Sequence, residues 1–405
     1  MTTFTRRTFL KLAGAASLGL AVRKGEARMP VAPDDPKLLK DPWLEINLKH
    51  MGWNLKQLRR QVNHRPIMAV IKANAYGHGL VRVAQYLEQQ KIHSLAVGKA
   101  REALSLREQG IRVPILNFGP FSRENALELV RQRISQSVYT DEFRYLAEAA
   151  REAGQPARVH VKIDTGLGRV GVPYDQAMPL LERLAATPEI RIEGIFTTFS
   201  EDREYDAIQL QRFLQICRQA EKRGIRIGMR HAASSAAILS FPESHLDLVR
   251  PGITLYGHYP SEKEFEQRRI ELKPVMSLKA RVAYVKTLRP GDSVSYHRAF
   301  IASRETRVAT IPLGYSDGFP YQVAGKASVL IRGQRFPTIA LVTANHLTAD
   351  VSGAASEIRI HDEAVLIGRQ GEQEITAEEV ARWAGTSVYK ILIWMNPELP
   401  RVYDA

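Results

Sequence analysis

Residues 68–79 read MAVIKANAYGHG and combine an apolar run, a lysine and a turn. The apolar run ends at Lys72, and a segment rich in Gly and Asn follows before a helical pattern resumes at Leu80. This order predicts a strand, a loop and a helix, with Lys72 at the carboxyl end of the strand. In parallel α/β barrels, catalytic side chains collect at that end of the strands. The segment therefore predicts a barrel with Lys72 on its functional rim.

Lys72 itself has two interpretations. A lysine at the end of a buried strand loses its proton more readily than one in water, because desolvation disfavours the ammonium form. Such an amine can bond to a carbonyl cofactor. Alternatively, Lys72 is an ordinary solvated lysine at a strand end.

Short apolar runs alternate with amphipathic helical patterns between residues 65 and 257. Eight strand–helix units within about 200 residues predict a (β/α)8 barrel of the TIM type. The eight runs are 66–71, 93–97, 113–116, 135–138, 158–163, 192–196, 226–230 and 246–249. The helical patterns between them include Leu80–Gln90, Arg123–Arg133 and Ala207–Arg223.

The pattern changes after residue 271. Ser261–Glu271 is charged, has few large apolar residues, and is predicted to link two domains. Beyond it, β-like segments separated by Gly, Pro and Asp turns predict a mostly β domain over residues 272–405. These segments are 275–287, 306–311, 327–331 and 363–367. The predicted fold class is thus α/β, with an N-terminal TIM-type barrel at residues 49–260 and a mostly β C-terminal domain.

The N-terminus has the pattern of an export leader. Residues 5–11, TRRTFLK, form a twin-arginine signal, and the apolar segment Leu12–Val22 follows. At 11 residues that segment is too short to span a bilayer but suits the apolar region of a signal peptide. With cleavage near Ala27, residues 1–27 are predicted to be a signal peptide of a periplasmic or cell-envelope protein. A frayed basic N-terminus is the alternative.

Composition excludes several classes of function. The net charge is +14, from 57 basic and 43 acidic residues, but no Lys/Arg block is long enough to predict a nucleic-acid partner. Cys217 is the only cysteine, so no intramolecular disulfide can form and a cysteine-rich zinc site is excluded. Its helical spacing with Phe213, Ile216 and Ala220 predicts a core position. No metal site is predicted.

Four segments together resemble one enzyme family. AVIKANAYGHG at residues 69–79 closely resembles the cofactor-lysine motif of alanine racemases, which are fold-type III pyridoxal phosphate (PLP) enzymes. VKIDTGLGRVGV at 161–172 resembles a second signature, GDSVSY at 291–296 matches a third, and IPLGYSDG at 311–318 resembles the entrance segment. The resemblance covers nearly all of the chain after residue 41. It implies a PLP-binding barrel and assigns the lead-in, residues 28–48, a strand that joins the C-terminal domain.

The resemblance also implies a set of cofactor ligands. Lys72 would hold PLP, and Arg169 would approach its phenolic oxygen and the substrate carboxylate, a task for a charged, forked donor. Arg250 would face the pyridine nitrogen and keep it unprotonated, which restrains side reactions; a barrel arginine in a salt bridge is the alternative. Barrels often bind phosphate between their last two loops, and SSA at 234–236 lies in the first of these. Taken alone, SSA would indicate only a helix cap. The matching phosphate ligands are Tyr76, Ser235, Gly252 and Ile253.

A second base is implied in the β domain. Tyr296 matches the tyrosine that the family supplies from a partner subunit, so the active unit would be a homodimer with shared active sites. An unperturbed phenol titrates near pH 10, so such a base needs positive neighbours or hydrogen bonding. His231 is the predicted hydrogen-bond partner of Tyr296. Tyr315 is predicted to narrow the entrance for the amino-acid substrate.

Four positions bear on how far the family's details carry over. Thr198 stands where the family has a histidine near the cofactor ring. Ala344 replaces a methionine whose backbone N–H meets the substrate carboxylate. A C-terminal tyrosine ligand is predicted to be lost, with Pro397 at the aligned position. Lys162 matches a lysine that is often carbamylated in the family, where it orients the residue matching Arg169.

The sequence thus predicts a PLP-dependent racemase that interconverts L-alanine and D-alanine with two bases, Lys72 and Tyr296. Bases on both faces of the α-carbon are what racemisation requires. One alternative is a broad-specificity amino-acid racemase whose pocket is enlarged by Thr198 and Ala344. The other is a PLP-binding protein without turnover, against which the β domain bearing Tyr296 argues.

Overall fold

The computed structural model describes residues 41–404. The predicted signal peptide at residues 1–27 and most of the predicted lead-in therefore lie outside the described residues. Within residues 41–404, no helix is both long enough and apolar enough to cross a membrane.

A parallel sheet forms the N-terminal half of the described chain. Strand β1 belongs to the second sheet described below. The strands from β2 onward follow one another in sequence order, with helices between them, and pair in parallel in the order β2-β3-β4-β5-β6-β8-β9. The short β7 pairs only with β6. The strands of this half are β1 (Trp43–Asn47), β2 (Met68–Val70), β3 (Ser94–Val97), β4 (Ile115–Asn117), β5 (Ser135–Val138), β6 (Ala157–Asp164), β7 (Val172–Pro173), β8 (Ile190–Phe196) and β9 (Met229–His231).

The helices pack their apolar sides against this sheet and the β domain. In Arg203–Lys222, Phe213, Ile216 and Cys217 are buried at helical spacing, and burial raises the pKa of the Cys217 thiol to about 12. The helices are Leu48–Gln61, Lys72–Tyr76, Leu80–Gln89, Ala100–Glu108, Arg123–Arg131, Phe143–Ala153, Ala177–Ala185, Arg203–Lys222, Ser235–Ser240, Glu262–Gln267, Ala377–Ala384 and Val388–Ile393.

The eighth apolar run, 246–249, is not a strand, and the parallel sheet is open. Individual hydrogen bonds still connect this segment to both sheet edges: Met68 N–H donates to the Val249 carbonyl at 2.9 Å, and Arg250 N–H to the Ala233 carbonyl at 2.9 Å. Leu246 has a left-handed φ of 50°, and Pro251 lacks an N–H, so too few residues remain for a regular ladder. The prediction of eight barrel strands is therefore wrong for the last of them; the fold is a TIM-like parallel sheet.

A mostly antiparallel sheet forms the second half, in the order β11-β14-β17-β16-β15-β18-β10-β1-β20, with β19 on β18. Strand β1 precedes the barrel in sequence but lies between β10 and β20. The further strands of this sheet are β10 (Met276–Arg281), β11 (Tyr284–Leu288), β14 (Thr306–Ile311), β15 (Ser328–Ile331), β16 (Gln334–Ile339), β17 (Leu347–Asp350), β18 (Glu363–Gln370), β19 (Gln373–Ile375) and β20 (Arg401–Asp404). Strands β12 (Ser293–Val294) and β13 (Phe300–Ile301) pair with each other in a separate two-stranded sheet.

The predicted linker Ser261–Glu271 is more structured than expected. It contains the helix Glu262–Gln267, whose N-cap Ser261 accepts a hydrogen bond from Glu264 N–H. The side chain of Tyr259 lies against Phe265, and its hydroxyl donates to the Ile270 carbonyl at 2.7 Å. The segment is predicted to be a linker because it has few large apolar residues. Local hydrogen bonds and the packing of Tyr259 on Phe265 give it a defined structure instead.

The two halves share one hydrophobic core, which includes Leu44, Met51, Val70, Leu278 and Val365. The segment after Lys72 lies where the halves meet. Arg401 Nε donates to the Gly77 carbonyl at 2.9 Å, and the Tyr403 hydroxyl to the His78 carbonyl at 3.1 Å. The C-terminal strand therefore supports the lysine segment of the barrel from behind.

Candidate active site

A cavity of about 560 Å³ lies at the carboxyl ends of the parallel strands. We call it the lysine cavity. It brings together residues that come from loops far apart in the sequence, and all seven predicted cofactor ligands line it. They are Lys72, Tyr76, Arg169, Ser235, Arg250, Gly252 and Ile253.

Lys72 leads into a left-handed turn rather than a loop or an ordinary helix. Ala73, Asn74 and Ala75 have φ of 53–55° and Tyr76 has φ of 52°. Only Asn among these residue types tolerates that conformation readily. The Asn74 side-chain oxygen accepts the Leu80 N–H at 2.8 Å, which ties the turn to the helix that follows.

Burial controls the charge of the lysines in the cavity. Burial and the Arg169 charge lower the pKa of the Lys72 amine, while the Glu102 carboxylate raises it. Lys162 is buried more fully, and burial together with the charges of Arg250 and Arg169 lowers its pKa to about 7. Both amines therefore lose their protons more easily than a lysine in water, as a nucleophilic amine requires.

One end of the lysine cavity is built from hydroxyl groups and main chain. Ser235 Oγ accepts the Gly252 N–H at 2.9 Å and lies 3.0 Å from Thr254 Oγ1. A Cβ added to Gly252 would lie 2.6 Å from the Tyr76 hydroxyl, so glycine is what leaves room for that hydroxyl. Hydroxyls and main-chain N–H groups are donors that suit an anionic group such as phosphate.

Arg250 is held by buried partners. Its guanidinium donates to His231 Nδ1 at 2.9 Å and to the Thr197 carbonyl at 2.7 Å. His231 Nε2 lies 2.8 Å from His160 Nδ1. Because arginine only donates, His231 Nδ1 accepts, so its Nε2 carries the proton and donates to His160. Burial and the Arg250 charge lower the pKa of both imidazoles, that of His160 to about 3, so both are neutral.

This arrangement corrects the predicted pairing of His231 with Tyr296. His231 is fully buried, and both of its ring nitrogens have partners inside the barrel. Tyr296 is instead 71% exposed. His231 therefore orients Arg250 and has no ring nitrogen left for the tyrosine.

Tyr296, Tyr315 and Ala344 do not line the lysine cavity, and we call this set the tyrosine face. Tyr315 is 54% exposed, and its N–H donates to the Thr343 carbonyl at 3.1 Å. The next residue, Ser316, donates its N–H to the Ala344 carbonyl at 3.0 Å, so Tyr315 and Ala344 lie beside each other. Within one chain the structure brings the predicted cofactor ligands together but leaves the predicted second base on the surface.

Thr198 lies inside the lysine cavity next to Lys162. Lys162 Nζ donates to Thr198 Oγ1 at 3.2 Å and lies 5.1 Å from the centre of the Phe196 ring. That ring stacks on His231, with centres 4.9 Å apart and an interplanar angle of 4°. At this point the cavity is thus lined by a small hydroxyl side chain, with the aromatic ring of Phe196 beside it.

Sequence reasoning missed one tyrosine of the cavity. Tyr389, in the helix Val388–Ile393, lines the lysine cavity, with its ring centre 6.2 Å from that of Tyr76. The expectation that a C-terminal tyrosine was lost is therefore wrong. Pro397 does not line the cavity, and its carbonyl accepts from Arg401. The sequence signal that could have identified Tyr389 is an aromatic residue at the start of a short apolar helix, eight residues before Pro397.

Two family models match the chain over nearly all of the described residues. The description "Alanine racemase, N-terminal domain" matches residues 46–260, and "Alanine racemase, C-terminal domain" matches residues 275–403.

Named relatives agree with these matches. Alanine racemase of Desulforamulus reducens is 39% identical over 373 residues, which cover 90% of this chain and 100% of the relative. Alanine racemase 1 of Clostridium acetobutylicum is 36% identical over 371 residues, covering 90% of this chain and 96% of the relative.

Solved structures give the same result. Alanine racemase from Streptomyces lavendulae superposes with a TM-score of 0.86 at 32% identity, covering 90% of this chain and 97% of that one. Alanine racemase from Clostridium difficile 630 gives a TM-score of 0.84 at 34% identity, covering 90% of this chain and 96% of that one. Sequence, fold and the assembled cavity thus agree, and the chain belongs to the alanine racemase family of amino-acid racemases.

Proposed function

We propose that the protein is a PLP-dependent racemase that interconverts L-alanine and D-alanine. The observation that carries this proposal is the lysine cavity, where the side chain of Lys72 is open to the cavity that Arg169, Arg250 and a cradle of hydroxyl groups also line. Membership of the family and the names of the relatives support the choice of alanine.

The donor set of the cavity fits PLP. Lys72 Nζ would bond covalently to the aldehyde carbon of the cofactor, with loss of one water. Tyr76, Ser235, Gly252 and Ile253 would hold the phosphate, with the space that Gly252 leaves as the supporting observation. When bound, PLP supplies a conjugated ring that stabilises negative charge at the substrate α-carbon.

Two arginines and two bases complete the proposed chemistry. Arg169 would bind the phenolic oxygen of PLP and the substrate carboxylate, and Arg250, held by His231, would keep a positive charge at the ring nitrogen. Tyr296 would take the α-proton from L-alanine while Lys72 donates a proton to the opposite face of that carbon. The reverse reaction starts with Lys72. A lysine whose pKa is lowered can serve as both acid and base near neutral pH.

The active unit of this proposal is a homodimer in which Tyr296, Tyr315 and Ala344 complete the lysine cavity of the partner. The exposure of Tyr296 and Tyr315, outside the cavity of their own chain, supports it.

Mixing two inactive variants tests the shared site. Lys72→Ala and Tyr296→Phe chains, unfolded together and refolded, would form mixed dimers with one intact site, giving about a quarter of wild-type activity. If each chain carries its own complete site, the mixture stays inactive.

We further propose export by the twin-arginine route to the periplasm or cell envelope. Support comes from residues 5–11 and the short apolar segment Leu12–Val22. Replacing Arg6 and Arg7 by lysine should leave the protein in the cytoplasm in cell fractionation. The matched change Arg23→Lys should not, and equal export of both variants would contradict the proposal.

The function is tested by incubating the PLP-loaded protein with L-alanine and analysing the product on a chiral column. D-alanine should accumulate to near equality with L-alanine, and Lys72→Ala should form none. A control variant, Lys99→Ala, removes an exposed lysine near the same cavity. PLP binding without D-alanine or any other D-amino acid would instead identify a binding protein without turnover.

A panel of other L-amino acids separates alanine specificity from broad specificity. Thr198 and Ala344 are smaller than the family residues they replace, and this favours the broad-specificity alternative as the second candidate. Comparable rates for large side chains and for alanine would establish it. A preference for alanine that Thr198→His leaves unchanged would count against it.

A further inference from the structure

The left-handed turn after Lys72 stores backbone strain beside the amine. Ala73, Asn74, Ala75 and Tyr76 all have φ between 52° and 55°. This conformation is unfavourable for residues with a Cβ, because the Cβ approaches the following carbonyl oxygen. Strain of this kind persists only where the surroundings hold the backbone in place. The contacts of the turn should therefore include groups whose task is to hold it.

Glu102 makes such contacts from the helix Ala100–Glu108. Its Oε1 accepts the Asn74 N–H at 3.3 Å, and its Oε2 accepts the Gly98 N–H at 2.9 Å. Gly98 follows β3. The neighbouring strand, β2, leads into Lys72. A single half-buried carboxylate thus fastens the strained turn to the neighbouring strand end.

The stem of Lys72 passes the same point. A Cβ added to Gly98 would lie 3.3 Å from Lys72 Cβ and 3.7 Å from Glu102 Oε2. The lysine, the glycine and the carboxylate therefore meet, and a larger residue at 98 would press on the lysine. This contact connects Glu102 to the side chain of Lys72 as well as to the main chain after it.

The charges around the Lys72 amine come from three elements. Arg169 follows β6, Lys162 lies on β6, and Glu102 comes from the helix after β3. Burial and Arg169 lower the pKa of Lys72, whereas Glu102 raises it; Lys72 in turn lowers the pKa of Lys162. Glu102 is thus the negative group that offsets the positive surroundings of Lys72. Burial, the Tyr76 phenol and the Glu102 carboxylate raise the pKa of the Tyr256 phenol, in that order of size.

We propose that Glu102 is a positioning residue for Lys72, whose carboxylate fixes the turn behind the lysine and keeps a negative charge beside its amine. The inference rests on the proposed role of Lys72 as the lysine that attaches PLP. Glu102 acts through Lys72 and the main chain, and it is not assigned a contact with substrate.

The experiment compares Glu102→Gln, Glu102→Asp and a matched control, Glu108→Gln. Glu108 is an exposed carboxylate on the same helix, so this control changes the charge without touching the turn. Each full-length protein is incubated with PLP over a range of pH and treated with borohydride. Peptide mass mapping then measures the fraction trapped on Lys72, and racemisation of L-alanine is measured in parallel.

Glu102→Gln should lower the pH midpoint of attachment by about one unit, because removing the carboxylate charge makes Lys72 easier to deprotonate. The glutamine amide has one acceptor oxygen, so only one of the two hydrogen bonds from Asn74 N–H and Gly98 N–H can remain. The turn is then no longer fastened to the neighbouring strand end, which should also reduce the racemisation rate about 10- to 100-fold. Glu102→Asp keeps the charge but shortens the reach, so it should lose rate while keeping the wild-type midpoint. Glu108→Gln should change neither.

Midpoints and rates that are the same for Glu102→Gln and Glu108→Gln would overturn the inference and leave the proposed function standing. If the wild-type protein is not labelled on Lys72 at any pH, both are overturned. If Glu102→Gln does not fold, Glu102→Asp decides: a reduced rate with the wild-type midpoint supports the inference, and a wild-type rate overturns it.

Discussion

The lysine cavity and the tyrosine face show how differently one chain treats the two halves of a proposed active site. The lysine cavity is assembled within the chain, where Arg250 is buried and Lys72 is open to the cavity. The tyrosine face lies on the β domain, with Tyr296 and Tyr315 largely exposed. Folding of a single chain therefore completes one half of the site and leaves the other open to a second surface.

Because the two regions differ in burial, substitutions in them should have different effects on catalysis and on stability. Groups of the lysine cavity have their pKa values shifted by burial and are connected to the fold through hydrogen bonds such as Arg250–His231. Exposed side chains of the tyrosine face have few such connections. We therefore expect changes in the cavity to affect folding and pH dependence, and changes on the face to affect turnover alone.

The largest effect is expected for Tyr296→Phe. Removing one of two bases should lower the racemisation rate by about 10²–10⁴-fold, while binding of PLP, followed by its absorbance, stays at the wild-type level. Tyr284→Phe is the control, because Tyr284 is also exposed on the β domain. An unchanged rate in Tyr296→Phe would remove the tyrosine face from the proposed site.

Lys162 should make stability depend on pH. Burial lowers its pKa to about 7, so between that pH and about 10.4 the unfolded chain binds a proton that the native chain does not. The free energy of unfolding should therefore rise with pH across this range. Below about pH 7 Lys162 is protonated in both states, and the whole penalty of burying its charge lowers the free energy of unfolding.

Lys162→Met should remove this dependence, so its gain in stability over the wild type should be larger at pH 6 than at pH 10. Urea unfolding of the PLP-free protein measures it, in buffers purged of carbon dioxide because a neutral amine can be carbamylated. Lys326→Met, at an exposed site, is the control. A gain that is the same at both pH values would contradict the lowered pKa.

His160→Ala should destabilise the fold by about 1–3 kcal/mol, because it leaves the buried His231 Nε2–H without its acceptor. His160→Gln can still offer an oxygen acceptor and should recover part of the loss. Denaturant midpoints measure both variants. Tyr296→Phe should stay close to the wild type in this assay, and a loss as large as that of His160→Ala would contradict the contrast between the two halves.

The smallest effect is expected for Thr198→Val, which removes the hydroxyl that accepts from Lys162 at 3.2 Å. Losing this hydrogen bond should cost about 0.5–1.5 kcal/mol of stabilisation at the site, so the racemisation rate should fall by less than about tenfold. Thr198→Ser keeps the hydroxyl and should behave like the wild type. A larger loss in Thr198→Val would show that this position matters more than its single hydrogen bond.

Several features of the site could be predicted because they depend on local order. A buried parallel strand is a short apolar run, so Lys72 at the end of such a run was expected at the rim of the sheet. Arg169 and Ser235 follow other strands in the same way, and Gly252 follows the eighth apolar run. Strand ends meet at one edge whatever the intervening loops contain.

Features that depend on distant contacts could not be predicted. Ala-Asn-Ala-Tyr contains no glycine and gives no sign of a left-handed turn, which is held by Glu102 and by the β domain behind Gly77. The pairing of His231 with His160 joins positions 71 residues apart. The eighth run has the composition of a strand, but the left-handed φ of its first residue, Leu246, and Pro251 just after it prevent a regular ladder.

The sequence by itself determined the order of strands and helices, the change to a β domain, and the residue types that line the lysine cavity. It could do so because periodicity and motif chemistry act over a few residues. Only the tertiary structure decided which groups are buried, which way Arg250 and His231 face, and that Tyr389 lies in the cavity while Tyr296 does not. Burial and direction come from packing between segments far apart in the chain, and that packing sets the charge and strain of Lys72.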